Sequence, residues 1–112
     1  MEPGTQSLLA AFSDISINEL IVNDDGSVYV ERGDSALEPL PFKVSVPEVQ
    51  GFLNAAIGTP ETFGPARPYA DLSAQDGSRI HVISPPLVRG GLCVTIRKRP
   101  QRRPPLGELV RA

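Results

Sequence analysis

Arginine stands at the mouth of one apolar run and at the end of the next: Arg79 precedes Ile80, Val82 and Ile83, and Arg97 follows Leu92, Val94 and Ile96. A guanidinium stays charged at any physiological pH and its planar fork matches pairs of oxygens, so two of them brought together would grip phosphate. That chemistry requires the two runs to be paired strands whose ends share one sheet margin. The residues between them permit it, because Pro85-Pro86 followed by Gly90-Gly91 makes a loop that is first stiff and then permissive. Asp71 lies one predicted strand earlier, where a carboxylate could orient an arginine or cap a turn.

The other reactive side chains offer less. His81 is the sole histidine, has no cysteine or carboxylate partner at metal-ligand spacing, and is expected to alternate away from Arg79 as an exposed or half-buried strand residue. Asp24-Asp25-Gly26-Ser27 lacks the run of oxygen ligands of a calcium loop and predicts a plain turn. Arg32-Gly33-Asp34 spells an adhesion tripeptide, but without an export signal it too predicts a turn. Cys93, the only cysteine, falls in an apolar run and is expected to be a buried, inert thiol in a reducing compartment. Serines are scattered and none has an evident base, so an independent enzyme is not expected.

Several short elements must position these groups. Leu8, Leu9 and Phe12 form a stripe for a short amphipathic helix ending by Ser13 and Asp14. Leu20-Ile21-Val22 and Val28-Tyr29-Val30 flank Asn23-Asp24-Asp25-Gly26, the strongest hairpin signal in the chain. After that hairpin, Pro39 and Pro41 each remove a ladder donor and confine any strand to a sheet edge. Ser45 and Glu48 predict a capping box opening the main helix, whose apolar face is Val46, Val49, Phe52, Leu53, Ala56 and Ile57, with Gly58 and Pro60 stopping it. Residues 58–68 are loop-rich, Tyr69 to Ser73 predicts a short strand, and Asp76-Gly77 a second tight turn.

At 112 residues and 12.0 kDa the chain fits one domain, and 40% apolar residues with 21% charged ones predict a globular fold. Twelve prolines and ten glycines predict short elements and many turns. The net charge of -2 is unevenly spread, since most acidic side chains precede residue 97 while Arg97, Lys98, Arg99, Arg102 and Arg103 crowd the C-terminal end. Such a run could track a nucleic acid or anionic lipid backbone, yet no aromatic is interleaved to stack bases and the acidic body opposes contact. A solvated linker, or contact with an acidic partner or neighbouring subunit, is favoured over nucleic acid. No apolar stretch approaches the roughly 20 residues that cross a bilayer, and the N-terminus lacks a signal-peptide pattern, so the chain is expected to be cytoplasmic. Beyond Arg99, RPQRRPP predicts an extended linker, and Leu106 to Ala112 could begin a helix whose partners are absent, as in a piece of something longer.

Four segments together resemble the N-terminal domain of the type II/type IV secretion ATPase family, the hexameric motors of conjugation, protein secretion and tight-adherence pili. ISINELIVNDDGSVYVERGD is similar to the opening hairpin of that family, and YADLSAQDGSRIHVISPP to its aspartate, turn, glycine, arginine and strand pattern. LCVTIRK resembles the closing strand and PPLGELVRA the start of the linker to the motor domain, the match spanning roughly residues 8 to 112. The resemblance implies an α+β, PAS-like two-layer sandwich with a mostly antiparallel sheet carrying helices, in one tier of a hexameric ring. It also implies nucleotide bound between this domain and a P-loop domain. By position, Arg79 and Arg97 would contact the phosphates, with Asp71 in support.

The chain contains no G-x-x-x-x-G-K-[ST], no motor-domain acidic boxes and no matching histidine motif, so it cannot be the catalytic half. The expected organisation is an α+β domain over residues 1–99 and a basic Pro-rich linker over 100–112. ATP and magnesium would belong to the full motor, and this chain alone would bind nucleotide weakly. Expected partners are the P-loop domain, neighbouring subunits of the hexamer and the inner-membrane secretion or pilus machinery, with the motor peripheral at that membrane. The runner-up is a stand-alone PAS-like sensor or adaptor. A long pocket lined by the helix at 46–57 would favour the sensor, and a shallow sheet face with both arginines exposed would favour the motor accessory.

Overall fold

Asp-Gly-Ser closes two hairpins in the same way. In each, the serine backbone N–H donates to the aspartate Oδ1, from Ser27 to Asp25 at 2.9 Å and from Ser78 to Asp76 at 2.8 Å. The glycines between them take φ of 90° at Gly26 and 91° at Gly77, a region that side-chain-bearing residues rarely occupy. The loops therefore fix where four strands begin and end.

The computed structural model describes residues 2–33, 36–60, 67–84 and 90–98. In chain order these form α1 (Pro3–Ser13), β1 (Glu19–Val22), β2 (Ser27–Glu31), β3 (Glu38–Lys43), α2 (Val46–Ile57), β4 (Tyr69–Ser73), β5 (Arg79–Ile83) and β6 (Cys93–Arg97). The six strands make one sheet in the order β3-β2-β1-β6-β5-β4, every pair antiparallel. Two meanders, β1–β2–β3 and β4–β5–β6, are thus welded along the β1/β6 pair, and α2 carries the chain from one edge to the other. This is an open α+β two-layer fold. The proline-bearing β3 lies at an edge, as its missing N–H donors require.

Both helices lie on one face. Val22, Val28, Val30, Ile80, Val82, Val94 and Ile96 alternate inward along their strands and join Leu8, Phe52 and Leu53 in a single buried core. Phe12 of α1 meets Phe52 of α2 edge-on, ring centroids 5.7 Å apart. Val46 is an exception to the expected helix stripe: it is 47% exposed because it occupies the first turn of α2, ahead of the part that lies on the sheet.

The start of α2 also anchors α1. Ser45 and Glu48 form the reciprocal capping box, and the second carboxylate oxygen of Glu48 accepts from the Gly4 N–H at 2.8 Å. The Thr5 hydroxyl donates to the Glu48 carbonyl at 2.8 Å. One side chain therefore satisfies backbone donors near the N-termini of two helices, and its carboxyl is held below the ordinary range by the Ser45 and Gly4 backbone N–H groups. Ser45→Ala removes half of the box and is expected to destabilise the protein by about 1 kcal/mol. A melting curve unchanged from the parent protein would show that the cap contributes nothing.

At the other end of α1, Asp14 accepts from the Ser16 hydroxyl and backbone N–H and from Arg32, which also reaches Glu38. Those bonds, the two from Ser16 first, pull the Asp14 carboxyl down to about 2. A carboxyl depressed on folding stabilises above its unfolded pKa of about 4, and that contribution is lost as pH falls toward 2. Asp14→Asn is expected to flatten the fall in melting temperature between those limits; an unchanged acid profile would count against this network.

Candidate anion-binding face of the sheet

The β5/β6 register sets Arg79 directly opposite Arg97 and Ile80 directly opposite Ile96. Because both isoleucines are fully buried under the helices, both arginines must point to the other face. A slip of one residue would bury two charges and expose the isoleucines. The burial of Ile80 and Ile96 therefore specifies where the guanidinium groups emerge. The shared margin expected for them is present, and their side chains are 58% and 77% exposed.

Each arginine already has a carboxylate partner. Arg79 Nη2 reaches Asp71 Oδ2 at 3.0 Å and Oδ1 at 3.2 Å, from the neighbouring β4. Arg97 donates through Nε and Nη2 to Glu19 Oε2, both at 3.2 Å, from β1. Glu19 is a site residue that local sequence could not show, because it is separated from Arg97 by 78 positions and becomes its neighbour only through the β1/β6 register. Exposed pairs of this kind contribute only about 0–1 kcal/mol, so an incoming dianion can exchange with the carboxylates.

His81 does not turn away from Arg79. Residues two apart in a strand share a face, and the structure places His81 beside Arg79 on the open side of the sheet. Its Nδ1 lies 3.0 Å from the Tyr69 hydroxyl and 3.7 Å from Asp71 Oδ1, and its ring lies against that of Tyr69. Glu19, Arg79, His81, Thr95 and Arg97 line a depression of about 280 Å³.

Two further expectations change. Cys93 is half-buried rather than sealed in the core, since the alternation of β6 directs Val94 and Ile96 to the helices and leaves Cys93 facing the other way. Burial, and secondarily Asp24, push its thiol pKa up, so it remains a poor nucleophile. Lys98 does not belong to a solvated basic run: it is 8% exposed, its Nζ donates to the Asp14 carbonyl, and its charge lies 5.9 Å from the Phe12 ring centroid. Its backbone N–H donates to the Asn18 carbonyl, extending the β1/β6 pairing beyond the last strand residue. Desolvation lowers the Lys98 pKa, and the bond from its buried ammonium to the Asp14 carbonyl ties the end of β6 to α1. Arg99, the remainder of the basic run and the expected helix at 106–112 lie outside the described residues.

Among the described residues no group of three or more His, Cys, Asp and Glu could hold a metal ion, and no helix is long and apolar enough to cross a membrane. A groove of about 390 Å³ between the helices touches α2 only at Ala55 and Ala56, near its C-terminal end.

No family model matches the sequence, and no curated protein matches it. A solved structure does: the VirB11 ATPase of the Brucella suis type IV secretion system, in complex with sulphate, is similar at 26% identity with a TM-score of 0.69. The likeness covers 96% of this chain and 34% of that one, so the chain spans about a third of the length of the ATPase it resembles. Fold and sequence together support a domain related to the secretion ATPases.

Proposed function

We propose that this chain is the N-terminal, non-catalytic domain of a hexameric secretion or pilus-assembly ATPase. Its part is to complete a nucleotide site whose P-loop lies in another domain. Arg79 and Arg97 approach the phosphates, with Asp71 holding Arg79 in place until the anion arrives. ATP and magnesium are bound by the whole motor. The described part of this chain has donors suited to phosphate oxygens, and its two nearby carboxylates are tied to the arginines rather than grouped around a cation. The domain also contributes to the ring and passes domain rotation to inner-membrane machinery from the cytoplasmic side.

The observation that carries this reading is the antiparallel register that sets two exposed arginines side by side. Similarity over nearly the whole chain to one third of a secretion ATPase supports it. That neighbour was solved with sulphate, an anion close to phosphate in shape and charge. An exposed arginine face favours the motor accessory over the sensor. The test compares nucleotide affinity of the P-loop half alone with that of the full motor. The full motor is expected to bind at least tenfold tighter; equal affinities would overturn the proposal.

A further inference from the structure

We infer that His81 is a third anion-contacting residue of this face and makes its affinity rise as pH falls; the inference rests on the phosphate-binding reading above. The two arginines are matched by two carboxylates, Asp71 and Glu19, and Glu31 of β2 stands opposite Glu19 on the same face, so with a neutral imidazole the face offers an anion no net attraction. The remaining group that can change this balance is His81, which lines the same depression as both arginines.

The surroundings of the ring decide which nitrogen is available. Nδ1 is engaged by the Tyr69 hydroxyl and lies close to Asp71, and Nε2 has no partner among the described residues. Protonation puts a donor on both nitrogens. Nδ1–H then competes with Arg79 for Asp71, loosening that ion pair, while Nε2–H becomes a cationic donor beside the two guanidinium groups. Both effects favour an incoming dianion.

The other titratable groups on this face of β1, β2 and β4–β6 are Tyr69 and Asp71 from β4, Arg79 from β5, Cys93 and Arg97 from β6, Glu19 from β1, and Tyr29 and Glu31 from β2, while both helices pack on the opposite side. Imidazole is the side chain among these whose ordinary titration falls between about pH 5 and 8.

Sulfate is the suitable probe, because unlike phosphate it does not itself titrate in that range. Its affinity for the 112-residue chain, measured by NMR, is expected to increase at least threefold (an order-of-magnitude figure for one added charge at the site) between pH 8.0 and 5.5. His81→Asn should abolish the increase, and Arg79→Ala should weaken binding at both pH values. Since the chain has one histidine, its ring resonance reports the reciprocal effect without ambiguity. Saturating sulfate should raise the titration midpoint by about 0.5 pH unit, the linkage equivalent of threefold. Sulfate binding that depends on Arg79 but not on pH would overturn the role of His81 and leave the phosphate reading standing. Binding indifferent to both arginines at either pH would overturn both.

Discussion

In the motor proposed above, Arg79→Ala or Arg97→Ala is expected to lower ATP turnover at least tenfold while leaving the fold intact. Arginines that meet a transferring phosphoryl group elsewhere contribute roughly 10³ to 10⁵ in turnover, because they stabilise charge that grows in the transition state. Tenfold is a lower bound here, since with two guanidinium groups side by side either can cover part of the loss of the other. Stability is spared because both side chains lie on the exposed face and their ion pairs are of the weak, solvated kind. Lysine at either position is expected to restore little, as it keeps the charge but loses the fork that spans two oxygens. Normal turnover in both alanine variants would remove the arginines from the site.

Phe52→Ala has the largest expected effect on stability, about 3–5 kcal/mol, because it combines lost transfer energy with a cavity that the sheet cannot close. Phe52 is fully buried and touches both α1, through Phe12, and the core beneath α2. A domain of this size has a total stability of roughly 5–15 kcal/mol, so the loss is a large fraction of it. Denaturant unfolding checks the magnitude through a lower midpoint, and amide exchange checks the location, with protection in α1 falling first. A change below about 1 kcal/mol would mean that the two-helix layer is not held as described.

Much of the fold was legible because its signals are local. The Asp-Gly turns, the Ser45–Glu48 box, the edge strand with its prolines and the apolar runs of β5 and β6 each lie within a few residues, and each formed where expected. The arginine pair was legible for a related reason: two apolar runs close together in the chain pair as antiparallel strands, and alternation decides which way Arg79 and Arg97 point.

Long-range placement was not legible. Glu19 reaches Arg97, and Glu48 serves α1, only after strands and helices far apart in the chain have packed. Lys98 reads as the start of a basic linker because its neighbours are basic, yet the last turn of α1 provides an aromatic ring and the residue after it a carbonyl that take it out of water. The expectation that His81 alternates away from Arg79 misapplies the strand period, which by itself places residues two apart on one face.

The most direct measurement is a structure of the assembled motor with a non-hydrolysable nucleotide bound, read at two side chains. The predicted result is that the guanidinium groups of Arg79 and Arg97 have left Asp71 and Glu19 and lie within hydrogen-bond distance of phosphate oxygens. Both arginines still paired with their carboxylates, on a sheet face turned away from the nucleotide, would contradict it.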